Sequence, residues 1–285
     1  MARIAYVNGR YMRHDEARVH IEDRGYQFAD GIYEVCLVIG GRLWDLEGHL
    51  ARMDRSLEAL RMARPMSRAA LEAVIGELLR RNRLRNALVY IQTTRGVAPR
   101  NHAFPSAGVA PAITATARPF DLDKSDAAAE RGVGVLLQED IRWGRVDIKT
   151  VSLLPNVLAK QAAAEAGCAE AWLVRDGRVT EGSSSNAWIV TGDGALQTHP
   201  TGREILGGIT RQTAIECARD LQIKVCETPF SAEAAKAARE AFITSATSLV
   251  MPVVSIDGAP VGDGVPGPLT RRLREAYKNR ARSVR

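Results

Sequence analysis

Lys149, Glu181 and two turns rich in glycine and hydroxyls carry the residue types from which a chemical site can be assembled. The run RWGRVDIK reads as a strand ending at Lys149 that leads through a loop into a helix, and Glu181 ends a hairpin strand in VTEGSSSNAWIV, before a glycine and three serines. LGGITR, 206–211, is a Gly-Gly loop opening a helix with Thr210 in its first turn, and TSATS, 244–248, is a hydroxyl-rich turn after a strand. Backbone amides at such turns, aided by the helix dipole, favour an anion such as a phosphate. A further stretch, TRGVAPRNHAFP, holds Arg100 and His102 two residues apart in a Gly/Pro-rich loop. An arginine with a second donor beside it suits a carboxylate. Taken singly, each piece has an ordinary reading: a solvated lysine, a surface glutamate, helix caps, a basic loop.

Together, an amine, a carboxylate and a phosphate cradle are the requirements of pyridoxal 5'-phosphate (PLP). The amine bonds the aldehyde, the carboxylate keeps the pyridine nitrogen protonated, and the cradle holds the phosphate. DIKTVSLLPNVLAKQ followed by EGSSSNAWIV resembles the fold-type IV PLP enzymes, the group of the D-amino-acid and branched-chain aminotransferases. The resemblance runs from EDRGYQFADGIYEV to TSATSLVMPV. RGYQFADGIYE and TRGVAPRNHAFP are most similar to the D-amino-acid aminotransferase branch.

The resemblance implies a role for each matching residue. Lys149 would be the Schiff-base lysine and proton shuttle, and Glu181 the partner of the pyridine nitrogen. Arg52, Ile209, Thr210, Ser245 and Ala246 would surround the cofactor phosphate, and Leu206 would pack on the ring face. Ala246 is a departure, since a threonine is expected there; loss of that hydroxyl would weaken cofactor binding by ~1 kcal/mol. Tyr33, Arg100 and His102 match the family's carboxylate trap, with the Arg100/His102 loop supplied by the neighbouring subunit of a homodimer. The implied reaction is a ping-pong transamination between a D-amino acid, such as D-alanine, and a 2-oxo acid such as 2-oxoglutarate or pyruvate. An L-branched-chain aminotransferase, an (R)-amine transaminase and an aminodeoxychorismate lyase of the same fold are the alternatives. From another class, a basic nucleic-acid-binding module is the competing reading.

The elements that must position these residues can be read from pattern. RIAYVNGRYM is a hairpin through Asn8-Gly9, GIYEVCLVIGGRLW one through Gly40-Gly41, EAWLVRDGRVTEG one through Asp176-Gly177, and NAWIVTGDGALQTH one through Asp193-Gly194. LEGHLARMDRSLEALRM and SRAALEAVIGELLRRN have helical spacing, the second capped by Ser67. ALVYIQTT, AITATARPF, GVGVLLQED, IKVCETPF and EAFITSA read as strands, and PNVLAKQAAAEAG, GITRQTAIECARDL and SAEAAKAA as helices. Hairpin-joined strands predict an α+β protein of two domains rather than a doubly wound parallel sheet. The expected division is a small N-terminal sheet-plus-helices domain over 1–118, a linker over 119–130 in the charged RPFDLDKSDAAAE, and a larger C-terminal PLP-binding domain over 131–285, a sheet or pseudo-barrel by resemblance.

Composition narrows the function. A net charge of +6 raises the question of nucleic acid, but the arginines are spread over helix faces and aromatic content is only 5%, which leaves few stacking platforms. The densest basic run, RRLREAYKNRARSVR, reads as a solvated helix end. No apolar run approaches a membrane span, and no secretory leader is recognisable at the start. Cys36, Cys168, Cys217 and Cys226 lie in or beside apolar runs without CxxC spacing, which predicts buried free thiols in a reducing cytosol. His14, His20, His49, His102 and His199 show no metal-ligand spacing, and common nucleotide-loop, zinc-protease and hydrolase motifs are absent.

Overall fold

The computed structural model describes residues 3–106 and 108–283, with side chains placed as far as residue 280. The two ends of the chain, including the last two residues of the basic tail, lie outside the described residues. The chain divides into two compact units: residues up to Asp121 together with Ile148–Ser152, and Leu122–Asp147 together with Leu153 onward.

The first unit contains β1 (Ile4–Val7), β2 (Arg10–Arg13), α1 (Arg24–Phe28), β3 (Gly31–Ile39), β4 (Arg42–Leu43), α2 (Leu46–Ala59), α3 (Arg68–Asn82), β5 (Ala87–Thr94) and β6 (Ala112–Pro119). Its strands form an antiparallel sheet in the order β2-β1-β6-β5-β3-β4. Asn8 and Gly9 both have positive φ, 45° and 90°, the geometry a two-residue hairpin needs. Alternation along β3 sends Ile32, Cys36 and Val38 into a core shared with Leu50, Met53 and Leu57 of α2 and Leu71, Ile75 and Leu78 of α3. Ser67 caps α3, its hydroxyl accepting from the Ala70 N–H at 3.2 Å.

The second unit contains α4 (Leu122–Arg131), β7 (Val133–Glu139), α5 (Leu154–Glu165), β8 (Glu170–Arg175), β9 (Arg178–Gly182), β10 (Asn186–Val190), β11 (Leu196–Thr198), α6 (Ile209–Asp220), β12 (Val225–Glu227), β13 (Phe230–Ser231), α7 (Ala232–Lys236), β14 (Glu240–Ser245), β15 (Leu249–Ile256), β16 (Ala259–Pro260) and α8 (Pro268–Ser283). Its sheet has the order β12-β11-β10-β14-β15-β7-β8-β9-β13, with β16 beside β15. Hairpins make most of the pairs antiparallel, while β7–β8, β15–β7 and β11–β12 are parallel. A mixed α+β architecture with two sheets is therefore observed, as expected.

Three local features differ from the sequence reading. The stretch 119–130, expected as a linker, is the end of β6 followed by the helix α4, because Ala-rich DAAAER is a good helix former and Ala129 finds a core to enter. Second, RGYQF is a short helix, α1, capped by Asp23. The third is the basic tail, which is more than a solvated helix end: Leu273 and Tyr277 are buried. The Arg274 guanidinium donates to the Ser248 and Val250 carbonyls and to Asp126 at 2.8 Å, and the Lys278 amine also meets Asp126, at 2.9 Å.

Candidate active site

Lys149 does not end a strand as its sequence suggested: in the first unit the short segment after Ile148 runs beside the start of β3 with a single bridge, Ile32 to Thr150. Tyr33 N–H donates to the Lys149 carbonyl at 3.0 Å, and Val151 N–H to the Gly31 carbonyl at 3.1 Å. The Lys149 N–H meets the Ser56 hydroxyl of α2 at 3.3 Å, and Ile148 enters the core below. These contacts fix the lysine backbone from both sides. Its amine stands 4.1 Å from the centre of the Tyr33 ring, close enough for a cation–π contact. No hydrogen bond or ion pair among the described residues engages that amine. Tyr33 in turn stacks on Tyr90, centroids 5.6 Å apart, and Tyr90 donates to Gln92 at 2.8 Å. Burial first, and then the neighbouring Tyr33, push the Tyr90 hydroxyl up to about 12.

Arg52 lies on the inward face of α2 and is held by Glu34 of β3. Its Nε and one terminal nitrogen reach the two carboxylate oxygens at 2.8 and 2.7 Å. His49, one turn earlier on α2, places Nδ1 2.7 Å from the same carboxylate. All three side chains are buried. Burial works against the Glu34 charge, but Arg52 and His49 outweigh it and hold the carboxyl at about 2. Sequence reading missed Glu34 and His49. The available signal was a carboxylate on the apolar face of β3 opposite a helix that carries His and Arg three residues apart; a buried charge needs such partners.

Arg100 and His102 are exposed in the loop between β5 and β6. Arg100 Cζ lies 5.0 Å from the Phe28 ring centre, and the His102 ring 5.3 Å from it.

In the second unit, Glu181 is buried at the end of β9 with both oxygens occupied. It accepts from Arg142, from the Leu206 N–H at 3.0 Å, and from the Asn186 amide at 2.9 Å. Asn186 also donates to the Leu206 carbonyl at 2.9 Å, which ties the 206–208 loop to β10. Arg142 is the residue behind this arrangement that sequence reading did not single out. It chelates Asp140 with Nε and a terminal nitrogen at 2.9 and 2.8 Å, and Asp140 accepts again from Thr180 at 2.9 Å. Burial opposes the Arg142 charge, but Asp140 and Glu181 outweigh it and raise the guanidinium above its ordinary value.

The serines after Glu181 also have a buried organiser. Glu170 accepts from Ser183, from Ser184 at 2.6 Å and from Ser185 at 3.1 Å, and Asn156 donates to the Ser183 carbonyl at 2.8 Å. The turn is thereby pinned from α5 and β8.

Gly208 precedes α6 and provides no side-chain cap to its first turn, whose residues Ile209 and Thr210 are buried. A Cβ at Gly208 would sit 2.0 Å from Asn186 Oδ1, so the close approach requires glycine. Ser245 and Ala246 are half-buried at the turn after β14. The Ser245 hydroxyl accepts from the Ser248 N–H at 3.0 Å and lies 3.1 Å from the Thr247 hydroxyl. The turn leaves through Leu249, whose φ of 58° is uncommon for a branched side chain.

Similarity of sequence and of fold to known proteins defines a class. The chain belongs to the class IV aminotransferases: the model of that family, described as amino-transferase class IV, matches residues 31–256. Among its relatives, the D-alanine aminotransferase of Staphylococcus haemolyticus is 43% identical over 95% of both chains. That of Bacillus licheniformis is 42% identical over 95% of both. Solved structures with the same fold include the T.th. branched-chain amino acid aminotransferase complexed with N-(5'-phosphopyridoxyl)-L-glutamate, with a TM-score of 0.88 and 26% identity over 100% of this chain and 96% of that one. The branched-chain aminotransferase of the archaeon Thermoproteus uzoniensis, with norvaline, has a TM-score of 0.86 and 26% identity over 99% and 95%.

Proposed function

We propose that this chain is a PLP-dependent transaminase that moves the amino group of a D-amino acid, such as D-alanine, to a 2-oxo acid. The observation that carries the reading is Lys149: its backbone is fixed from two sides, and its amine faces the Tyr33 ring without a polar partner among the described residues. The residues present fit the cofactor. Lys149 offers the amine for its aldehyde, Glu181 a carboxylate for its ring nitrogen, and α6 a first turn without a side-chain cap for its phosphate. Arg52, Ser245 and the Ala246 amide complete the phosphate donors, and Leu206 covers the ring.

When bound, PLP supplies an electron sink that stabilises negative charge at the substrate Cα. The work of this chain is positioning and proton transfer. Arg100 binds the α-carboxylate, with His102 or Tyr33 as the second donor. This leaves the Cα–H directed at the Lys149 amine, which removes that proton and later returns one. The amino donor loses its nitrogen and its Cα hydrogen, takes a carbonyl oxygen from water and leaves as a 2-oxo acid; the acceptor gives up its carbonyl oxygen as water and gains both. Arg142 keeps Glu181 in place throughout.

The D-specific reading is favoured by the similarity over nearly the whole chain to two D-alanine aminotransferases and by the Arg100/His102 loop. The fold shared with branched-chain aminotransferases keeps an L-specific enzyme as the second reading. The reading includes a homodimer in which the Arg100/His102 loop serves the neighbouring subunit. In support, Leu154, Val157 and Leu158 expose 69, 58 and 55% of their surface on one face of α5. It also includes a cytoplasmic location, supported by four free cysteines, of which Cys36 and Cys217 are buried as expected while Cys168 and Cys226 are only half-buried; no helix among the described residues is long and apolar enough to cross a membrane. The test is the visible spectrum of the cofactor-loaded protein, followed after adding D-alanine or L-leucine without an acceptor. Loss of the absorbance band with D-alanine alone is expected. A response to L-leucine alone would assign the second reading.

A further inference from the structure

The loop that carries Arg100 and His102 is exposed, and exposed arginines ordinarily sample many rotamers that must be ordered on binding. Here the loop is clasped from beneath. Arg24, the first residue of α1, is buried; one terminal nitrogen donates to the Asn101 carbonyl at 2.5 Å and the other approaches the His102 carbonyl at 3.4 Å. Asn101 turns its own side chain back to accept from the Ala103 N–H at 3.1 Å. Phe28, four residues after Arg24 and so on the same helix face, offers its ring to three groups: Arg24 Cζ at 4.8 Å, Arg100 Cζ at 5.0 Å and the His102 ring at 5.3 Å.

Of the two arginines beside the Phe28 ring, only Arg24 has an acidic partner. Asp30 takes Nε of Arg24 at 2.8 Å and chelates Arg95 at 2.7 and 2.9 Å. Arg95 in turn donates to the Leu60 and Arg61 carbonyls and lies 3.7 Å from the Phe104 ring, which anchors the far side of the same loop. Arg100 has no acidic partner and no hydrogen bond among the described residues; its neighbour is the Phe28 ring. A cation held by a ring face keeps its N–H donors available, whereas one held by a carboxylate does not.

We propose that Phe28 and Arg24 are positioning residues for substrate recognition. Arg24 fixes the loop backbone at Asn101 and His102, while the Phe28 ring orients the Arg100 and His102 side chains, so the carboxylate trap is formed before substrate arrives. The proposal rests on the reading of Arg100 and His102 as the carboxylate trap.

The experiment compares D-alanine KM and kcat of the holoenzyme with those of Phe28→Leu, Phe28→Tyr and Arg100→Ala, each checked for its cofactor absorbance band. Phe28→Leu keeps apolar bulk and removes the π face. It is expected to raise KM by about 3- to 30-fold, the range of one lost cation–π contact, with kcat changed less and cofactor retained. Phe28→Tyr restores the ring and is expected to return KM towards the parent value. If Arg100→Ala raises KM while Phe28→Leu leaves it unchanged, the positioning role is overturned and the trap stands. If Phe28→Tyr is as impaired as Phe28→Leu, or Phe28→Leu loses cofactor, the residue serves packing and the proposal fails. If Arg100→Ala leaves KM unchanged, the trap reading itself fails and takes the proposal with it.

Discussion

Lys149 and Arg142 make opposite demands on an experiment. Replacing Lys149 by alanine is expected to abolish D-alanine turnover, including a single turnover on the loaded enzyme, because no other described amine occupies its place beside Tyr33. Replacing Arg142 by glutamine removes the cation that Asp140 and Glu181 share, and leaves Asp140 with Arg175 at 3.2 Å. Breaking such a pair costs about 3–5 kcal/mol, so the thermal midpoint is expected to fall on the order of 10 °C, with weaker cofactor retention, by calorimetry and absorbance. Glu34 gives a pH prediction. Its folded value of about 2 lies below the ordinary 4.5, so its contribution is full above the ordinary value and is lost as pH falls from about 4.5 towards 2. The contribution is on the order of 3 kcal/mol. Urea midpoints measured across that window should fall steeply for the parent and more gently for Glu34→Gln, which starts lower at neutral pH. Lys149, Glu181 and Arg100 could be proposed from sequence because their neighbours form recognisable stretches. Arg142, Glu34 and Glu170 were not, because each acts through a residue distant in sequence, and only the fold brings the partners together.

The elements were largely legible, because the dipeptides that force a two-residue turn mark them: Asn8-Gly9, Asp176-Gly177 and Asp193-Gly194 sit where hairpins close. The helix α4 was hidden by polarity. It buries little beyond Ala129, so it shows almost no apolar stripe to read. α1 was hidden by length, since five residues cannot display a period. At the start of α6 the sequence signal, Gly-Gly, was visible, but its reason was not: Asn186 occupies the space a Cβ at 208 would take. Gly208→Ala is therefore expected to displace Asn186 from Glu181 and to loosen cofactor binding at least ~10-fold. Equilibrium dialysis against PLP measures it. Unaltered affinity would show that the α6 start is not the phosphate site.

At the scale of the whole molecule, the proposed dimer makes a complementation prediction. Arg100→Ala and Lys149→Ala chains should each be impaired alone. If the Arg100/His102 loop serves the neighbouring subunit, a hybrid dimer rebuilds one intact site from the two chains, and co-expression in equal amounts should restore roughly a quarter of the sites. A loop that serves its own subunit restores none. The net charge of +6 was legible as arithmetic. The placement of Arg274 and Lys278 against Asp126 was not, because the basic tail looks like surface until its partner on α4 is known. The five residues 148–152, which belong to the first unit although the chain around them belongs to the second, matter for how the protein is made. A ribosome adds about 5–20 residues per second, so this segment emerges on the order of seconds after β6 has completed the first sheet. Until then Tyr33 N–H and the Gly31 carbonyl lack the partners they have in the finished chain. A nascent chain can therefore own a folded sheet and still be chemically blank, with the lysine proposed to hold the cofactor among the last pieces of that unit to arrive.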